Sequence, residues 1–206
     1  MNEGYNEILR SIGSSEPTPG GGSVAALSLA HAHSLATMVA RLTLGKEKWS
    51  EGHEVAQSVI SESQVGVEEA IRLAEIDAEA FDAVMTAYRL PRETENQKEA
   101  RSVSIRNATI GAAEAPLATA SSACKLLSNL EKLCVSCNSN ALTDLASASE
   151  LSLSAVKMAA MNVRINLEYI KGDDVDLISS QIDQVVLKST TSAESVRLKV
   201  NERLSW

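Results

Sequence analysis

The chain has 206 residues, a net charge of -8 and an apolar fraction of 44%, enough for one globular domain spanning residues 1–206 with its own core. Aromatic residues supply only 3%, so that core must be built from Ala, Leu, Val and Ile, whose small size lets helices approach closely. The acidic balance, with no Lys/Arg-rich stretch, lacks the basic footprint that a phosphate backbone demands and excludes nucleic acid as a partner.

The start, Met1 to Arg10, is too polar for a signal peptide, and no apolar run is read as a membrane span. A cytoplasmic protein without a membrane partner is expected. Three cysteines are present. Cys134 and Cys137 form a C-x-x-C and Cys124 lies ten residues earlier, but no His stands nearby in sequence to complete a zinc set. Free, largely buried thiols and no metal site are expected.

In chain order, Tyr5, Ile8, Leu9 and Ile12 follow the i, i+3, i+4, i+7 pattern of a short amphipathic helix. Gly13 to Gly22 interrupts it, with Pro17, Pro19 and three successive glycines. Ser23 is the expected N-cap of a nearly all-apolar helix over 24–44, which should be central or sheltered at a subunit interface. Gly45 is its stop. A long helix is predicted over 54–90, ended by Pro91. Another covers 95–133, with Pro116 as a kink or break. Ser136 to Asn140 reads as a loop, and helices over 141–170 and 175–204 complete the chain. There is no strand alternation and no repeat. The fold class is all-α, an antiparallel bundle of long helices.

Within this frame one carboxylate is out of place. With Asp77 at zero on a wheel of about 100° per residue, Ala70, Leu73, Phe81, Val84 and Tyr88 fall within roughly 40° of it. Glu68, Arg72, Glu75, Glu79 and Asp82 lie on the opposite side. Asp77 thus sits in the apolar stripe, where a lone charge costs several kcal/mol. It is either a structural acid bonded to a neighbouring helix or a functional carboxylate with a shifted pKa.

Two other features have two readings each. Pro17-Thr18-Pro19-Gly20-Gly21-Gly22-Ser23 leads into a helix, so its backbone can approach a ligand and offer first-turn amides to an anion, or it is a simple connection. Asn162 and Asn166, one turn apart on a face with Ala148, Ser152, Ala155 and Ala159, are interhelical links or site-lining groups. His31 and His33 point about 160° apart on a helix and cannot share a metal.

Together these segments resemble a known family, the methenyltetrahydrofolate cyclohydrolases and the cyclodeaminase domain of formiminotransferase-cyclodeaminase. The matching pieces are the Pro17–Ser23 loop, Met38-Val39 with Leu42-Thr43-Leu44-Gly45-Lys46, and Asp77-Ala78-Glu79-Ala80-Phe81. They continue with Ala87-Tyr88-Arg89-Leu90-Pro91, Pro116, Asn138 with Asp144, and Asn162-Val163-Arg164-Ile165-Asn166. Each is weak alone; their order along residues 5 to 170 is specific.

The resemblance implies a cyclodeaminase-like helical homodimer with Asp77 as the catalytic acid. It also implies a folate pocket bordered by Gly20, Gly21, Gly22, Ser23, Lys46, Asn138, Asp144, Asn162 and Asn166. The substrate would be a tetrahydrofolate derivative, with no metal or redox cofactor. His31, His33, Glu47 and Cys137 depart from the family pattern, which has Met, Ala, a second basic residue and Gly there.

As a stand-alone domain with no formiminotransferase half, the chain reads as a cyclohydrolase forming 10-formyltetrahydrofolate. The alternatives are a cyclodeaminase that releases ammonia and a non-enzymatic helical binding or scaffold protein. The substrate's glutamate carboxylates are expected at the amides after Gly20 to Gly22, together with Lys46.

Overall fold

The computed structural model describes residues 3–206, so Met1 and Asn2 of the polar start lie outside the described residues. Six α-helices follow in order: α1 (Glu3–Ile12), α2 (Gly21–Leu44), α3 (His53–Tyr88), α4 (Glu95–Ser136), α5 (Leu142–Leu167) and α6 (Asp173–Leu204). Two 3-10 turns, Glu47–Gly52 and Ser139–Ala141, link α2 to α3 and α4 to α5. No strand occurs among the described residues. Each long helix has the periodicity read from the sequence, and the short connections make chain neighbours antiparallel.

The central element is α2. Ala25, Ala26, Leu29, Ala32, Ala36, Val39 and Ala40 are all fully buried, and the alanines let α3, α4 and α5 pack closely against this one helix. Facing side chains include Leu126, Leu130, Leu133, Leu142 and Leu145, with Ile182 of α6 closing the far side. On α5, Ala148, Ser152, Ala155 and Ala159 are buried too, which makes that small-residue stripe core.

By length and composition α2 can cross a membrane, which corrects the expectation that no segment reaches that size. In this fold 61% of its apolar window is buried within the bundle, as a core helix requires. Its other face is open: Met38 is 37% and Leu42 47% exposed. His31 lies on that face, whereas His33 is buried, as their two-residue spacing requires.

Two further expectations are corrected. The N-cap of α2 is Gly20, in extended geometry, and not Ser23. The glycines let the helix start three residues earlier, so the Ser23 hydroxyl turns across to α3 instead of capping its own turn. Pro116 does not break α4, which runs unbroken from Glu95 to Ser136. A proline removes the N–H that would serve the carbonyl four residues back, here Ala112. Asn166 Nδ2 of α5 donates to that oxygen at 2.8 Å. The side chain of one helix thus repairs the backbone gap of another.

The end of α4 is held similarly. Arg203 of α6 donates to the carbonyls of Cys134 (2.8 Å) and Cys137 (2.7 Å), which helix termination leaves without partners. All three cysteines are unpaired and buried. Burial pushes the Cys134 thiol up to about 11 and also raises that of Cys137, so neither is a ready thiolate nucleophile.

Candidate active site

Because α2 begins at Gly21 and runs antiparallel to α3, its first turn lies beside the middle of α3, where Asp77 projects. Beyond this level α3 has no α2 to cover it. The apolar stripe that is buried at Ala70 and Leu73 emerges at Phe81 (37% exposed) and Tyr88 (52%). Asp77 stands at this boundary, half-buried.

Its carboxylate faces the start of α2. Ser23 Oγ donates to Asp77 Oδ2 and to the Ala74 carbonyl, both at 3.1 Å. A methyl on Gly22 would fall 2.5 Å from Asp77 Cγ and 2.6 Å from Oδ2, so glycine is required there for the carboxylate to approach. An acid from one helix thereby sits on the amide end of another, where the helix dipole favours negative charge. Burial raises the Asp77 pKa above the usual carboxylate range, and hydrogen bonding from the Ser23 hydroxyl and backbone N–H opposes the rise. The structural reading of Asp77, a bond to a neighbouring helix, is therefore realised, and its open side leaves the functional reading intact.

On the other flank of the same turn is α5. The Cβ position at Gly21 is 3.6 Å from Asn162 Nδ2. Asn162 Nδ2 donates to the Met158 carbonyl (2.9 Å), and Asn166 Nδ2 to those of Asn162 (2.9 Å) and Ala112 (2.8 Å). Both asparagines are partly buried. The structure thus sets the turn Gly20–Ser23 in a notch between Asp77 on one wall and Asn162 on the other, with Asn166 one helical turn further along α5.

It does not bring the remaining expected residues there. Lys46 lies beyond the opposite end of α2, a helix of 24 residues, hence about 36 Å away at ~1.5 Å per residue. The pairing of Lys46 with the glycine amides is corrected for a single chain. Asn138 and Asp144 share the Lys46 end. The Asn138 backbone N–H donates to Thr43 Oγ1 (3.0 Å), its Nδ2 to the Leu42 carbonyl (3.0 Å), and its Oδ1 accepts from the Asn140 N–H (3.0 Å). Its polar groups thus fix the α4–α5 turn against the end of α2. Asp144 is in the first turn of α5, half-buried.

One feature of the site escaped the sequence reading, the link from Asn166 to Ala112. Counting four residues back from Pro116 would have marked the orphaned carbonyl, but not the helix that supplies its donor.

The arrangement can hold a positively charged or N–H-bearing group against Asp77 and exchange a proton with it. Comparisons with known proteins place the chain in a family. A family model described as Formiminotransferase-cyclodeaminase matches residues 4–184. The chain is 35% identical over 165 residues to a methenyltetrahydrofolate cyclohydrolase of Methylorubrum extorquens, covering 80% of this chain and 79% of that one. It is 28% identical to a formimidoyltransferase-cyclodeaminase of Gallus gallus, covering 95% of this chain but only 36% of that protein. In three dimensions it resembles a formiminotetrahydrofolate cyclodeaminase of Thermotoga maritima, with a TM-score of 0.86, 26% identity, and coverage of 98% and 96% of the two chains. A match across most of the helical bundle, the residues of the notch included, establishes that the chain belongs to the formiminotransferase-cyclodeaminase family.

Proposed function

We propose that this protein is a folate one-carbon enzyme that hydrolyses 5,10-methenyltetrahydrofolate to 10-formyltetrahydrofolate. The observation that carries the reading is the half-buried Asp77 carboxylate, open on one side, in a chain 35% identical to a cyclohydrolase.

The bridging carbon of the substrate belongs to a cationic amidinium, and Asp77 offers it a counter-charge in a partly dehydrated notch. Water adds to that carbon and gives a proton to the Asp77 carboxylate, leaving a neutral carbinol. Protonated Asp77 returns that proton to N5 as the carbon–N5 bond breaks. The carbinol O–H loses its proton as the formyl C=O forms on N10, so one proton is released overall. The raised pKa of Asp77 brings the acid nearer to the range in which it can both take and return a proton, and such help is worth ~10²–10⁴-fold. Water, one carboxylate and the cation of the substrate suffice, so no step needs a metal or redox cofactor.

A second reading is the cyclodeaminase reaction, favoured by the structural likeness to the Thermotoga maritima enzyme. There N10 attacks a formimino carbon and ammonia leaves, with the same two roles for Asp77. One assay separates the readings. Purified protein should speed the loss of the near-UV absorbance of methenyltetrahydrofolate. Absorbance that instead rises, with ammonia release, when formiminotetrahydrofolate is supplied would select the deaminase. No effect on either compound would leave a non-enzymatic binding protein.

The proposed assembly is a cytoplasmic homodimer formed through the open face of α2. Beside it, Tyr5, Ile8 and Leu9 of α1 and Leu27 of α2 line an apolar groove of about 590 Å³, and such a face favours burial against another protein surface. Sedimentation at micromolar concentration should give twice the 21.9 kDa chain mass; a stable monomer would remove this part of the proposal.

A further inference from the structure

The orientation of the substrate in the notch follows from which atoms of the two asparagines are already committed. Asn166 Nδ2 serves two carbonyl oxygens and Asn162 Nδ2 serves one. A carbonyl accepts only from N–H, so neither amide can be turned over without setting oxygen against oxygen. The oxygens, Asn162 Oδ1 and Asn166 Oδ1, therefore face away from those carbonyls. Neither is among the buried polar atoms left without a partner, and both residues are only partly buried. They lie one helical turn apart, about 5–6 Å between Cβ atoms.

Across the first turn of α2 stands Asp77, also an acceptor when ionised. The polar side chains bordering the notch thus offer oxygen acceptors, and the first-turn amides of α2 already face the Asp77 carboxylate. A second carboxylate placed there would meet the like charge of Asp77.

We infer that Asn162 Oδ1 and Asn166 Oδ1 read the hydrogen-bond-donor rim of the bicyclic ring of the substrate, placing that ring at the start of α2 and the glutamate carboxylates away from it. This rests on the folate reading above and reverses the orientation expected from the glycine loop alone. A tetrahydropterin carries adjacent N–H donors at N3 and the 2-amino group, at the end of the bicycle remote from the reacting nitrogen. With that rim on the α5 asparagines, the N5 side faces Asp77. Phe81 of α3 lies one turn beyond Asp77, exposed, and offers an apolar surface to the rest of the molecule.

The test uses the two halves of the substrate as separate probes, 6,7-dimethyltetrahydropterin and p-aminobenzoylglutamate, titrated calorimetrically into wild type and Asn162→Ala. This variant removes an oxygen whose amide partner was only a carbonyl of its own helix, so folding should persist. The pterin Kd should rise about tenfold, the usual loss when a site built for a donor lacks its acceptor. The Kd of p-aminobenzoylglutamate should not change.

A loss confined to p-aminobenzoylglutamate would overturn the orientation. Equal affinities of both proteins for both probes would show that the Asn162 oxygen reads no part of the ring. Asn166→Ala gives an independent check, with thermal melting run alongside because it also orphans the Ala112 carbonyl. Turnover of methenyltetrahydrofolate by the wild type is scored separately. If turnover is absent the folate reading fails; if turnover is present and the pterin effect is missing, only the orientation fails.

Discussion

Asp77→Asn is expected to lower kcat by about 10²–10⁴-fold, the range for loss of a positioned acid-base group, without lowering thermal stability. The reasons for the two halves are separate. The amide keeps the size and shape of the carboxylate, and its oxygen can still accept from Ser23 Oγ, which now sits 3.1 Å from Oδ2. It carries no proton that it can give and take near neutral pH, so turnover falls. Burial disfavours the charged form of Asp77, and replacing it by a neutral group relieves that cost. The melting temperature should therefore stay level or rise, measured by circular dichroism on the same samples used for kinetics. Equal kcat in the two proteins would take Asp77 out of the mechanism. A collapse in both melting temperature and kcat would show its role to be holding α2 against α3.

The second large effect is on stability and comes from His33. The ring is 6% exposed, its Nδ1 pairs with Ser63 Oγ at 3.1 Å, and its Nε2 is buried without a partner. A Cβ at Gly66 would lie 2.5 Å from Nε2 and 2.7 Å from Nδ1, so the ring fits only because α3 has glycine at that level. Desolvation lowers its pKa from 6.5 to about 4; the charge of Glu62 opposes the shift and that of Lys125 adds to it.

The sign follows from proton counting. Between pH 6.5 and 4 the unfolded chain binds a proton at His33 that the folded chain refuses, so stability is full above 6.5 and falls as the pH drops. The loss amounts to about 3 kcal/mol by pH 4. Asp77 acts in the opposite direction, since its raised pKa makes the folded state the better proton binder in acid. Glu62, held low by Lys125, Asn129 and Ser58, loses its contribution only below the ordinary carboxylate value of 4.5. Urea unfolding of wild type from pH 7 to 4 should show the decline, and His33→Leu, which cannot titrate, should flatten it. Parallel pH profiles for the two proteins would rule out His33 as the source.

Much of the architecture could be read from the chain because it rests on one-dimensional signals. The apolar period set the helices, Gly and Pro set their limits to within a few residues, and a wheel isolated Asp77 because its neighbours on α3 are charged on one side and apolar on the other. The sequence order of weak motifs also pointed to the family that the comparisons establish. What the chain alone could not give is which ends of the helices meet. The wheel treats α3 as equally covered along its length, whereas α2 starts beside Asp77 and leaves Phe81 and Tyr88 open. Lys46 and the glycine loop look like neighbours because each adjoins α2, yet a rigid helix keeps them some 36 Å apart by its rise of ~1.5 Å per residue. Pro116 looked like a break because the residue that satisfies the Ala112 carbonyl is 54 positions away along the chain. Local pattern fixes which side of a helix is wet or dry, but hydrogen bonds and close approaches between helices depend on their relative placement, which only packing decides.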